Sequence, residues 1–102
     1  MAADAPEAND PARAHVWVTG RVQGVGFRAY VEYNARQIGV NGWVRNVGYE
    51  SVEATAEGTF EQVESFIQMM KMGPRASRVD ECRVAYETPA GEFREFQVKS
   101  SR

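Results

Sequence analysis

The chain has 102 residues, which is enough for one domain with one modest hydrophobic core. Its hydrophobic fraction of 43% and its charged fraction of 25% are ordinary for a soluble globular protein, and its formal net charge is −2. The first thirteen residues carry that acidic excess, so the remainder is about neutral and gives no electrostatic reason to bind nucleic acid or an anionic membrane.

The segment MAADAPEANDPAR, residues 1–13, is rich in Ala, Asp and Pro and shows no apolar periodicity. We interpret it as a disordered tail ahead of a single domain over residues 14–102.

The chain shows neither the apolar core of a secretory signal nor an apolar run long enough to span a bilayer, so a cytoplasmic protein is expected. The single cysteine, Cys82, excludes an internal disulfide and a cysteine-rich zinc site, and we expect it to be a partly buried strand residue.

Alternating apolar residues predict a first strand over about residues 15–22, and a glycine loop at Gly24 and Gly26 then leads to a helix over about residues 27–38. Such a junction gathers unpaired backbone N–H groups at the positive end of a helix dipole, where proteins commonly hold phosphate. Arg28 would add a permanent positive charge. The glycine spacing alone matches neither the dinucleotide fingerprint nor the P-loop, and by itself it fits a plain turn equally well.

Alternation and turn residues predict two strands, over about residues 42–47 and 51–57, that form a hairpin. A helix follows, which is capped by Thr59 and ended by Gly73-Pro74. Two further strands, over about residues 78–88 and 93–100, are predicted to form a C-terminal hairpin. The order β-α-β-β-α-β with a final strand predicts a ferredoxin-like α+β sandwich, with two helices on one face of a mainly antiparallel sheet. The first two strands then run parallel on either side of the third. Arg28 and Asn46 would therefore face a common pocket, although eighteen residues separate them.

Two strings of residues carry a more specific signal than the element order. G-R-V-Q-G-V-G-F-R over residues 20–28, followed by G-W-V-R-N over residues 42–46, resembles the paired signatures of the acylphosphatase family, small hydrolases that split carboxyl phosphates. The resemblance extends loosely from about Ala14 to Lys99. It implies that Arg28 binds the substrate phosphate, that Asn46 orients the attacking water, and that no metal or cofactor is needed. The implied phosphate-binding loop consists of Gln23, Gly24, Val25, Gly26, Phe27 and Arg28.

The residues themselves favour the same chemistry. The only histidine, His15, lies at the opposite end of the first strand, so no histidine-assisted nucleophile is expected near the loop. Without a general acid, the leaving group must depart as a stable anion, and a carboxylate with a pKa of about 4 meets that condition. The expected reaction is hydrolysis of an acyl phosphate to a carboxylate and inorganic phosphate. The proton of the attacking water would pass to the substrate phosphate.

Several other residues receive structural interpretations. Trp17 and Trp43 would either line the pocket or cover the open face of the sheet. The remaining charged residues, including Glu32, Arg45 and Glu53, are expected to be solvated surface charges. The segment Val47-Gly48-Tyr49-Glu50 departs from the family pattern, which commonly has Thr after the Asn and an Asp-Gly type of turn, and its Glu50 would repel an anionic substrate if it pointed inward.

Two alternatives come from other functional classes. An RNA-binding module shares the strand and helix order, but the third strand lacks stacking aromatic residues and contains Glu53 and Glu57. A non-catalytic acyl-phosphate or anion-binding regulatory domain, such as a detached counterpart of a domain in a larger carbamoyl-phosphate-processing protein, stays open. The expected partners are an acyl phosphate and inorganic phosphate, without nucleic acid or membrane, and a monomer is expected.

Overall fold

Two helices cover one face of a five-stranded sheet in the computed structural model, which describes residues 5–102. The elements in chain order are β1 (Pro11–Arg21), α1 (Phe27–Ile38), β2 (Asn41–Val47), β3 (Ser51–Thr59), α2 (Phe60–Met72), β4 (Arg78–Glu87) and β5 (Phe96–Val98). The predicted ferredoxin-like architecture with a final strand is confirmed. Among the residues described, no helix is both long and apolar enough to cross a membrane.

The strands lie side by side in the order β4-β1-β3-β2-β5. β3 pairs antiparallel with β1 on one side and with β2 on the other. β1 and β2 therefore run in the same direction and end at the same edge of the sheet. This arrangement, which the element order predicted, places the loop after β1 and the last residues of β2 on one side of the molecule.

The predicted C-terminal hairpin is wrong. β5 does not pair with β4 but runs parallel to β2 at the far edge, with Phe96 opposite Gly42 and Val98 opposite Val44. The reason is packing, because Phe96 is 1% exposed and its ring centroid lies 5.7 Å from that of Phe66 in α2. The polypeptide between β4 and β5 crosses the open face of the sheet, where the amides of Ala90 and Gly91 donate to Glu57, and so carries Phe96 to the opposite edge.

β1 begins earlier than the sequence predicted. Pro11 already pairs with Thr59, and Ala12 is buried. The amide of Phe60 also donates to the carbonyl of Asp10 at 2.8 Å, which ties the start of α2 to the segment before β1. Residues 11–13, which the sequence assigned to a disordered tail, therefore belong to the sheet. Residues 1–4 of the predicted tail lie outside the described part of the chain.

The hydrophobic core lies between the sheet and the helices. The inward side chains of β1 include Val16 and Val18, as their alternation predicted, together with Ala12 and Ala14, and Val22 follows them into the core. Thr59 caps α2 by accepting from the amide of Gln62 at 3.1 Å, and Gln62 completes a reciprocal capping box. Cys82 is a free, partly buried residue packed against this core, as expected.

Candidate active site

The loop between β1 and α1 leaves its backbone donors unused. Gly24 and Gly26 have φ values of 73° and 76°, a left-handed conformation that side-chain-bearing residues rarely adopt. Gly26 is the N-cap of α1 and provides no side-chain cap. Within the described residues, no protein oxygen accepts a hydrogen bond from the amides of residues 23–29. The loop therefore presents a row of free N–H groups at the positive end of the helix dipole.

A cavity of about 370 Å³ opens beside these amides. It is lined by Val22, Gln23, Gly24, Gly26, Phe27, Arg28, Ala29, Glu32, Asn46 and Val98. Arg28 is half-buried in the first turn of α1, and no carboxylate of the described residues pairs with it. The nearby Glu32 pairs with Arg36 at 3.0 Å instead. The guanidinium of Arg28 is thus available to an anion that enters the cavity.

Asn46 reaches the same cavity from the next-to-last position of β2. Its backbone is held on both sides, because it lies opposite Val52 in β3 and its carbonyl accepts from the amide of Arg102 at 2.8 Å. Its side chain is half-buried and makes no hydrogen bond within the described residues. A side-chain amide that is free of protein partners and stands on a backbone held in this way can orient a small polar molecule next to a bound anion.

Known proteins resemble this chain over most of its length. A family model described as acylphosphatase matches residues 14–98. The chain belongs to the acylphosphatase family. An acylphosphatase from Gloeobacter violaceus is 51% identical over 89 residues, which cover 87% of this chain and 95% of that protein. The enzyme therefore hydrolyses acyl phosphates, and it is a hydrolase acting on acid anhydrides.

Solved structures agree with this assignment. A crystal structure of acylphosphatase from Bacillus subtilis matches the enzyme with a TM-score of 0.82 and 33% identity, and the match covers 86% of this chain and 98% of that one. The crystal structure of T. kodakarensis HypF matches with a TM-score of 0.76 and 34% identity, over 87% of this chain but only 12% of that one. The same fold thus occurs both as a chain of similar length and within a much longer protein.

The structure gathers most, but not all, of the predicted loop around the cavity. Val25 is the exception, since its side chain packs against the hydrophobic core. Sequence reasoning missed four lining residues, which are Val22, Ala29, Glu32 and Val98. Glu32 stands one helical turn after Arg28, a spacing that would have revealed it. Val98 belongs to β5, and the predicted pairing of that strand with β4 kept it away from the cavity.

The turn after Asn46, residues 47–50, stays outside the cavity lining. Tyr49 is 94% exposed, and Glu50 is also exposed. Glu50 therefore does not point into the cavity, where it would repel an anionic substrate. Three residues of the departure from the family pattern, Gly48, Tyr49 and Glu50, are exposed to solvent, and Val47 is half-buried.

The two tryptophans cover the open face of the sheet rather than line the cavity. His15 stacks on Trp17 with ring centroids 4.0 Å apart and meets Trp43 edge-on at 5.8 Å. Beneath them Glu53 is only 8% exposed, so the expectation of a solvated charge is wrong there. Glu53 contacts His15 Nε2 at 2.6 Å and accepts from Arg45 Nε at 2.8 Å.

Two opposing effects act on the pKa of Glu53. Burial raises this pKa, but the hydrogen bonds and charges of Arg45 and His15 outweigh burial and hold it below its ordinary value. Glu53 is therefore an ionised structural group on the side of the sheet away from the helices. His15, bound into this network, has no place in the cavity chemistry.

Proposed function

We propose that Arg28 and the backbone amides of residues 23–28 hold the phosphoryl group of the acyl phosphate, while Asn46 orients the attacking water. One observation carries this assignment: one cavity contains loop amides, an arginine and an Asn side chain that have no partner among residues 5–102. Donors that are already in place cost little reorganisation when charge develops on the phosphoryl oxygens. The site is therefore complementary to the transition state of phosphoryl transfer.

The reaction needs no general acid at this site. The oxygen of water forms a bond to phosphorus as the bond from phosphorus to the acyl oxygen breaks, and the electron pair leaves with the carboxylate. Because a carboxylate is a weak base, with a conjugate-acid pKa of about 4, it departs unprotonated. The proton of the water passes to a phosphoryl oxygen. Glu32, the carboxylate that lines the cavity, stays engaged with Arg36.

Metal-independent turnover is part of this proposal. Arg28 and the helix N-terminus already supply the positive charge that a magnesium ion provides in many phosphoryl-transfer sites. Within residues 5–102, no group of three or more His, Cys, Asp or Glu side chains is placed to hold a metal ion.

We also propose that the enzyme is a monomer, and its native mass would check this. The large exposed apolar side chains of residues 5–102 are scattered over separate elements: Tyr33, Tyr49, Met72, Tyr86 and Val98.

The test is phosphate release from acetyl phosphate or benzoyl phosphate in excess chelator, with an alkyl phosphate ester as control substrate. We expect turnover of the acyl phosphates only, because the ester would need a protonated leaving group. The Arg28→Gln variant should lose about 10³-fold or more in kcat/KM, since it removes the one charged donor among the described residues that line the cavity. A folded Arg28→Gln variant with near-normal turnover would overturn the residue assignment.

A further inference from the structure

The side chain of Gln23 makes contacts that phosphate binding by the loop amides does not explain. Its Nε2 lies 2.9 Å from the carbonyl oxygen of Ser51, 3.1 Å from that of Gly48 and 3.3 Å from that of Val47. Within the described residues, no other side chain of the loop 23–28 makes a hydrogen bond to this turn. Gln23 thus reaches from the loop after β1 to the turn after β2.

The surroundings fix which end of the amide faces the turn. Three carbonyl oxygens converge on one atom, so that atom must be the donating NH₂ group, because an oxygen there would face three acceptors. Two N–H bonds serve the two shorter contacts, to Ser51 and Gly48. The contacts to Val47 and Ser51 are partly buried, so water replaces them less well than it would at an exposed site.

This bridge lies where the sheet no longer connects the two halves of the site. β1 and β2 are separated by β3, and the pairing of β1 with β3 ends at Thr19 and Ser51. One more backbone bond follows, from the amide of Gly20 to the carbonyl of Glu50 at 3.1 Å. Beyond it, among the residues described, the loop has no backbone bond to the β2–β3 turn. In this part of the chain, residues 5–102, the side chain of Gln23 is the remaining polar connection between the loop and the turn.

We infer that Gln23 is a positioning residue, which sets the placement of the phosphate cradle relative to Asn46 through its side-chain amide. The inference rests on the proposed function of Arg28 and Asn46. Val47, one acceptor of the bridge, directly follows Asn46 in the chain. If the bridge is lost, the cradle and Arg28 still bind phosphate, but the water held by Asn46 is no longer aligned with the phosphorus atom.

The test is a Gln23→Met variant, which keeps the length and shape of the side chain and removes its donor. A misplacement of about 1 Å can cost on the order of 10²-fold in rate, so we expect kcat for acetyl phosphate to fall about 10- to 10²-fold. The inhibition constant of inorganic phosphate, used as a competitive probe, should change by a much smaller factor. Hydrogen exchange at the amides of the 47–51 turn should become faster.

Two further variants keep the test decisive. Gln68→Met removes an exposed amide on α2 and should leave kcat, phosphate affinity and exchange unchanged. Gln23→Asn keeps a polar amide that is too short to span the gap, so it should reproduce the kcat loss even if Gln23→Met fails to fold. Normal kcat in a folded Gln23 variant, or an equal loss of kcat and phosphate affinity, would overturn the inference. Loss of activity in Arg28→Gln with normal kcat in both Gln23 variants would reject this inference alone.

Discussion

The polar groups on the open face of the sheet are paired with one another, whereas those at the cavity beside the ends of β1 and β2 lack partners among the residues described. On the open face, Glu53 is held by Arg45 and His15, and Glu57 accepts from Arg13 and from the amides of Ala90 and Gly91. At the cavity, the loop amides and Arg28 have no protein partner among the residues described. The same kinds of group therefore serve stability where they are paired, and under the proposed function they serve catalysis where they are left free.

The largest effect that would sharpen this contrast comes from Asn46→Ala. We expect kcat to fall about 10²- to 10³-fold, the usual cost of removing one oriented polar group from a catalytic site. Because the side chain makes no hydrogen bond within the described residues, the free energy of unfolding should change by no more than about 1 kcal/mol. Steady-state kinetics and urea denaturation on the same preparation check both parts, and a large loss of stability would contradict the assignment.

Glu53→Ala should show the reverse pattern. It leaves Arg45 and His15 without their shared carboxylate in a largely buried setting, so we expect a loss of about 2 kcal/mol in the free energy of unfolding. The activity of the folded fraction should stay near normal, since Glu53 lies on the other side of the sheet from the helices. If kcat fell with stability only slightly reduced, the separation of the two faces would be wrong.

Acid should weaken the open face through the same residue. The pKa of Glu53 is lowered in the folded enzyme from its reference value of 4.5. Its stabilising contribution is therefore complete above about pH 4.5 and is lost as the pH falls through the lower folded pKa. Denaturation curves between pH 7 and pH 3 should show a steeper loss for the wild-type enzyme than for Glu53→Gln. Parallel curves would contradict the role of this carboxylate.

The smallest expected effect concerns Glu32, which lines the cavity but pairs with Arg36. Glu32→Gln should raise kcat/KM about 2- to 5-fold for an acyl phosphate that carries a free carboxylate elsewhere in the molecule. The variant removes a screened negative charge from the cavity wall and so weakens the repulsion of that carboxylate. For acetyl phosphate the change should be smaller. The gain should shrink at high salt, and a gain that is independent of salt would argue against an electrostatic cause.

Local patterns in the sequence predicted most of this fold. Alternation, helical spacing and capping residues gave every element, and Thr59 caps α2 as its position suggested. The placement of β5 could not be read in this way, because Pro89 and Gly91 suit a hairpin turn while the distant contact of Phe96 with Phe66 decides the pairing. Packing between residues far apart in sequence overrode the local turn signal.

The candidate site likewise combines residues that a local sequence pattern identifies with residues that only the neighbouring strands bring together. The loop glycines and Arg28 belong to one continuous string, so the sequence could identify them together. The bridge from Gln23 to the turn, and the presence of Val98 in the cavity, depend on which strands are neighbours. The ion pairs of Glu53 were missed because a single charged residue in a strand does not show whether partners lie on the adjacent strands.

The crossing of the chain between β4 and β5 has a consequence for biosynthesis. Val22, at the start of the cavity, and Val98, in β5, line the same space, and Phe96 fills the core beneath it. Contacts between residues this far apart in sequence form late and slow folding. A nascent chain that has emerged from the ribosome only as far as β4 therefore lacks one wall of this cavity, which is completed when β5 has emerged and paired with β2.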